Sequence, residues 1–219
     1  MLIAMNLKML SVNVARPHVL AVIEGEEVIS AIAKKPVAEA EVEIGATNIA
    51  GDGQADLSVH GGPDKAVYAY PSDNWFWWRE AHGFEAGPAS FGENLTLSGA
   101  NETQVRIGDR FQWGSALLEV SQPRMPCFKM QIHAKRIDIT QLLTVSGRCG
   151  WYLRVIEPGR AKVDAPMERV SEGPDAGRGA NVRETFLAAF DRRVPQEKRA
   201  EIAAHPALAK AWKRALIGR

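Results

Sequence analysis

Glycine and proline cut the chain between Met9 and Val170 into short apolar runs, and this punctuation constrains the fold more than any other feature. Met9–Val14 and Val19–Ile23 are short β-branched runs, Glu24-Gly25-Glu26 turns the chain into Val28–Ile32, and Pro36 interrupts. Glu41-Val42-Glu43-Ile44 alternates with period two, as a strand with one buried face does. Ala66–Tyr70 is a compact apolar run ended by Pro71. From Val105 the pattern predicts successive hairpins: Val105–Ile107, a turn at Gly108-Asp109, Arg110–Trp113, a turn at Gly114-Ser115, then Ala116–Val120. Trp151–Ile156 and Met167–Val170 supply further strands, separated by the Glu157-Pro158-Gly159 turn. Two helices interrupt the series. Ser72 or Asp73 caps one running through Asn74–Ala81 and closed by Gly83; Asp138 caps Ile139–Ser146, closed by Gly147. Many short strands with Gly/Pro turns favour a barrel or sandwich over a parallel sheet, so the fold class is mainly β.

After Ser171 the texture changes. Residues 172–180, EGPDAGRGA, read as a linker. Asn181 and Glu184 form a capping-box variant opening a helix with Val182, Phe186, Ala189 and Phe190 on one face. Pro195 and Pro206 fit the first helical position of two more helices, and Leu208, Trp212, Ala215 and Leu216 form a stripe ending before Gly218. The expected organisation is a β domain over residues 1–170, a linker over 171–179, and a small three-helix appendage over 180–219.

With 219 residues, 46% hydrophobic and 24% charged, the chain has the composition of a globular protein with a proper core. A net charge of +1 gives no sign of a polymeric nucleic-acid or membrane-surface binder. No apolar run reaches membrane-spanning length, no secretory signal is evident, and two cysteines do not make a disulfide framework. The expected compartment is the cytoplasm.

Four segments are candidates for chemistry. In Val120–Met130, VSQPRMPCFKM, Pro123 and Pro126 fix φ and lack amide donors, so a strand ends in a stiff loop. Arg124 and Lys129 lie close to Cys127 in sequence, and nearby cations favour a thiolate, the form that binds metals or attacks electrophiles. The alternative is a small buried hydrophobe that happens to be cysteine. Gly51–Asp64, GDGQADLSVHGGPD, makes poor strand or helix and a good binding loop, with His60 before two glycines; a glycine turn with a hydrogen-bonded histidine explains it as well. It is neither a Walker loop nor a dinucleotide fingerprint. In Phe91–Leu95, Glu93 and Asn94 offer hydrogen-bonding groups suited to a heterocycle edge, or a tight turn. In Gly147–Trp151, Arg148 is a candidate phosphate ligand, and Cys149, without a proline frame, reads as structural. Neither cysteine belongs to a close zinc-type pair.

Taken together, GDGQADLSVHGGPDKAVYAYP, FGENL, IGDRFQWGSALLEVSQPRMPCFK and GWYLRVIEPG, in that order from about residue 40 to 170, resemble the MOSC-domain family, and the trailing helices resemble the three-helix tail of one bacterial type within it. The resemblance implies a β-barrel that binds the molybdenum cofactor, a metal held by a pterin dithiolene, with Cys127 as a further thiolate ligand to molybdenum. It implies Arg124, Lys129, Arg148, Lys65, Asp64, Asn94 and Gln122 as cofactor-pocket candidates, with His60 as a proton relay or orienting group. The implied activity is reduction of N-hydroxylated compounds, hydroxylaminopurine base analogues among them, to amines. The chain lacks a ferredoxin cysteine set and a flavin or nicotinamide fingerprint, so separate redox partners would supply the electrons. Two alternatives stay open: a sulfur carrier working through a Cys127 persulfide, and a non-enzymatic ligand-binding barrel.

Overall fold

Strand β1 (Asn6–Val14) starts three residues before the predicted Met9–Val14 run and alternates over its first half, with Leu7 and Met9 buried and Asn6, Lys8 and Leu10 exposed. The structure is a computed structural model that describes residues 5–55, 61–170 and 179–218. It continues through β2 (His18–Ile23), β3 (Glu26–Ser30), β4 (Lys35–Pro36), β5 (Glu41–Ile44), β6 (Val67–Pro71), α1 (Trp75–His82), β7 (Leu95–Ser98), β8 (Arg110–Trp113) and β9 (Ala116–Pro123). Then come α2 (Phe128–Ala134), α3 (Ile139–Ser146), β10 (Trp151–Glu157), β11 (Gly159–Lys162), β12 (Met167–Val170), α4 (Val182–Phe190), α5 (Gln196–Ala204) and α6 (Lys210–Ile217).

Seven strands close into a barrel in the order β12-β8-β9-β10-β6-β7-β1, with β1 completing the ring on β12. All ladders of the ring are antiparallel except β6–β7, and α1 supplies the crossover a parallel pair requires. Sheet β5–β11 packs beside the ring, and the β2–β3 hairpin stands off it. Gly150, at φ +66°, lets β10 start hard against β6: an added Cβ would lie 2.3 Å from the Ala69 carbonyl oxygen.

The barrel interior holds Leu7, Leu95, Leu97, Phe111, Trp113, Leu118 and Trp151. Strand β6 is buried on both faces: Val67 and Ala69 enter the barrel core, while Tyr68 and Tyr70 join an outer cluster with Trp78, Phe91, Met130 and Leu143. There Tyr70 stacks on Phe91 at 3.9 Å between centroids and accepts from Trp78 Nε1 at 2.6 Å. The C-terminal helices share the barrel core, because Val182, Phe186, Trp212 and Leu216 belong to the same apolar cluster as the strands. Ala209 N–H donates to the Ser121 carbonyl at 3.0 Å, tying the tail to β9.

Several expectations are revised. Val105–Ile107 is not a hairpin arm: Arg106 bridges Asn181, so the loop pairs with the tail, and only β8–β9 forms the expected hairpin. Strands β7 and β11 and helix α2 carry too little periodicity to stand out. Pro195 is the N-cap of α5, and Ala209, not Pro206, precedes α6. Asp138 begins α3 without capping it, since its carboxylate pairs with Arg136. The Asn181–Glu184 capping box is formed on both sides, at 2.7 and 3.0 Å.

Glu93 organises the turn before β7. Its carboxylate accepts from Ala89 N–H at 2.8 Å, Phe91 N–H at 3.0 Å and the Thr96 hydroxyl at 2.8 Å. Burial pushes the carboxyl up to about 7 against these hydrogen bonds. An unfolded glutamate titrates at about 4.3, so between that value and about 7 the folded state holds a proton the unfolded state lacks. The stability contributed is therefore full below the unfolded value and declines, by roughly 3 kcal/mol, as pH rises through 7. In urea titrations across pH 4.5–8, wild type should lose stability relative to Glu93→Gln; a pH-independent gap between the two would refute this assignment. Trp212→Ala should cost about 3–5 kcal/mol and leave barrel and tail unfolding in one transition. Separate transitions, followed by near- and far-ultraviolet circular dichroism, would show that the tail folds on its own.

Candidate functional site

Strand β9 ends at Pro123, and the extended backbone beyond it carries Arg124 inward before Cys127 opens α2 as its N-cap residue. These residues form one wall of a cleft of about 90 Å³ at an end of the barrel. The lining also takes Ser30 at the end of β3, Ala31, Ile32 and Lys34 after it, and the turn Asp52–Ala55; Tyr68 of β6, Asn94 and Tyr152 of β10 complete it. Gly92 at φ +74° admits the hairpin segment, since a Cβ there would sit 2.4 Å from Ile32 Cγ1.

The cleft is cationic for a structural reason. Arg124 is only 6% exposed; its guanidinium lies over the Tyr68 ring at 5.2 Å, and Nη1 meets no hydrogen-bond partner among the described residues. Burial opposes its charge, yet a guanidinium keeps its proton even in a protein interior, so the charge stays. A buried donor without an acceptor is costly unless a ligand supplies one. Lys65 also lines the cleft, its pKa lowered by burial and partly restored by Asp64. Lys129 reaches across the mouth, donating to the Ile29 carbonyl at 2.9 Å. The Cys127 thiol is half-buried on the same wall. Burial raises the pKa of both Tyr68 and Tyr152, which keeps them neutral beside these cations.

Five residues singled out in the sequence meet here: Cys127, Arg124, Lys129, Lys65 and Asn94. Asn94 is not free to read a ligand edge. Its Oδ1 accepts from Tyr68 N–H at 3.0 Å and its Nδ2 donates to the Asn13 carbonyl at 3.1 Å and to Asp52 at 2.9 Å, so it locks β1, β6 and the 51–54 turn together. Three others lie off the cleft wall. Asp64 accepts from Arg154 at 2.7 and 3.0 Å, and Arg154 also donates to Glu119, which makes Asp64 an anchor between its turn and β10. Gln122 is buried in β9 opposite Tyr152. Arg148 donates to Asn74 at 2.6 Å and stacks over Trp77 at 4.9 Å, in a network with Glu102 that excludes it from the cleft. His60 lies outside the described residues. Cys149 is fully buried, with burial pushing its thiol well up, as a structural cysteine would be.

Sequence reasoning missed Lys34, Asp52, Tyr68 and Tyr152. Asp52 stood inside the glycine-rich loop and Tyr152 beside the second cysteine, but Lys34 carried no local signal.

The same fold and loops recur in known proteins. Residues 56–168 match the MOSC domain. Protein YiiM of Escherichia coli (strain K12) is 38% identical over 191 residues, which span 85% of this chain and 83% of that protein. The crystal structure of YiiM from Geobacillus stearothermophilus superposes with a TM-score of 0.78 at 31% identity, covering 96% of this chain and 97% of that one. A protein of Gibberella moniliformis (strain M3125 / FGSC 7600) named "Reductase" is 37% identical over 141 residues, 62% of this chain but 24% of that protein. With the domain matched over half its length and the whole barrel shared with such relatives, the chain belongs to the MOSC-domain family.

Proposed function

We propose that this chain is an oxidoreductase that holds a molybdenum–pterin cofactor in the cleft and reduces N-hydroxylated compounds, such as hydroxylaminopurine base analogues, to amines. The unpartnered Nη1 of buried Arg124, a residue that lines the same small cleft as half-buried Cys127, is the observation that carries the reading. Family membership and the reductase name of one relative support it.

The residues present suit such a group. Among the described residues no three His, Cys, Asp or Glu side chains gather to hold a metal ion. A metal that brings most of its ligands with it, as one held by a pterin dithiolene does, would leave one position for a soft thiolate such as Cys127. An anionic phosphate on the same group would answer Arg124, with Lys65 and Lys129 adding charge around it. The cleft is partly open to solvent, so a ligand larger than its volume of about 90 Å³ would extend beyond it.

When bound, molybdenum would supply the two-electron exchange that R–NHOH + 2 H⁺ + 2 e⁻ → R–NH2 + H2O requires. The chain supplies the rest. Cys127 Sγ binds, Arg124 orients, and the Tyr68 and Tyr152 rings, 5.2 Å apart, cover the inner wall. Protons must reach the substrate from cleft groups or water, and the Lys65 ammonium, with a lowered pKa, releases one more readily than a surface lysine. Electrons come from separate donor proteins, because two cysteines cannot build an iron–sulfur relay here.

Protein from a cofactor-competent host should contain molybdenum and an oxidisable, fluorescent pterin, and should form amine from an N-hydroxy substrate with a reduced viologen dye as donor. Cys127→Ser should lower that turnover at least about 100-fold without shifting the thermal midpoint appreciably; a variant as active as wild type would end the ligand assignment. Arg124→Met should cut molybdenum content several-fold while leaving the midpoint unchanged or higher, since it removes an uncompensated buried charge. Unaltered metal content in that variant would show that Arg124 holds something else.

A further inference from the structure

The cleft lined by Arg124 and Cys127 also carries a buried charged pair. Lys34 Nζ donates to Asp52, with side-chain exposures of 8% and 2%. Asp52 does not depend on that lysine for its hydrogen bonds: Oδ1 also accepts from Ala15 N–H and Oδ2 from Asn94 Nδ2, both at 2.9 Å. The segment does not depend on it for placement, since Ile32 is buried in the outer apolar cluster and Lys34 N–H donates to the Ile32 carbonyl at 2.8 Å. Burying two ions takes several kcal/mol for each, and apolar residues of similar volume often serve stability as well. Such a pair on a cleft wall therefore points to use.

The surroundings indicate which use. An ammonium carries three donors, and Asp52 is its partner among the described residues, so hydrogen remains for a ligand. Burial lowers the lysine pKa, with Asp52 and then Glu93 acting against it. The same lining carries Arg124, Lys65 and Lys129, the neutral phenols of Tyr68 and Tyr152, and Cys127.

We propose that Lys34 Nζ gives a proton to the oxygen departing from an N-hydroxylated substrate and that Asp52 positions it; this rests on the function proposed above. The balance is complete. The N–O bond breaks with an electron pair that the molybdenum–pterin group would supply when bound, one proton passes from Lys34 to the oxygen leaving as water, and solvent gives one proton to nitrogen and recharges the lysine.

The test compares wild type with Lys34→Arg and Lys34→Met, each loaded in a cofactor-competent host, by metal content, thermal midpoint and turnover from pH 5.5 to 9.5. Alongside, amine-selective acylation of Lys34 is followed against pH by mass spectrometry in wild type and Asp52→Asn. Arginine keeps the charge but cannot release a proton. Lys34→Arg should therefore keep its metal, lose roughly 10²–10⁴-fold in turnover and lose the alkaline limb of the wild-type profile. Lys34 should acylate with a midpoint that matches that limb and lies below the surface lysines, and Asp52→Asn should lower it further. Wild-type turnover in Lys34→Arg, loss of metal from it, or acylation in step with surface lysines would each overturn the proposal. If arginine does not fit, Lys34→Met and the labelling of unaltered protein decide. Failure of wild type itself to turn over would sink the parent reading and this one together; an active wild type with an equally active variant sinks this one alone.

Discussion

Strand β1 is the member on which the rest depends. Its first residues close the ring against β12, Asn6 opposite Glu168 and Leu7 opposite Met167, and its middle pairs with β7. Its far end then turns into the cleft, where Asn13 N–H donates to the Asn94 carbonyl and Ala15 N–H to Asp52. One strand thus both seals the barrel and fixes the floor of the site. Residues as distant in sequence as Lys34, Lys65, Asn94 and Arg124 become neighbours because the ring is shut.

The fold class could be read in the chain because alternation reports burial directly. Glu41–Ile44 shows it plainly, and the Gly114-Ser115 turn falls between two paired strands as its residues imply. What could not be read is what depends on partners. Val105–Ile107 has the residues of a strand but finds Asn181 in place of a ladder, and Leu95–Ser98 becomes a strand through parallel pairing with β6. In the site, the cationic loop around Cys127 was visible because its charges are close in sequence. Asn94, Asp64 and Arg148 show the limit: a sequence displays hydrogen-bonding capacity but not who uses it, and here Tyr68, Arg154 and Asn74 do.

Buried polar groups fall into two kinds. Glu93, Glu102 and Glu119 are each met by several donors, and their business is holding turns and strands in place. Arg124 is buried to a similar degree yet keeps an unanswered nitrogen. The contrast separates structural charge from charge available to a guest, and it does so without reference to any relative. Among the described residues, no helix is long and apolar enough to cross a membrane.

The link from Ala209 to the Ser121 carbonyl has an evolutionary consequence. Ser121 lies six residues before the thiol, on the strand that aims it, and α4 and α6 cover apolar surface continuous with that strand's inner neighbours. The tail is therefore a brace for the thiol's support, not cargo. A relative that does without these helices, as a MOSC domain matched only to residue 168 allows, has to cover the same carbonyl and the same apolar face by other means.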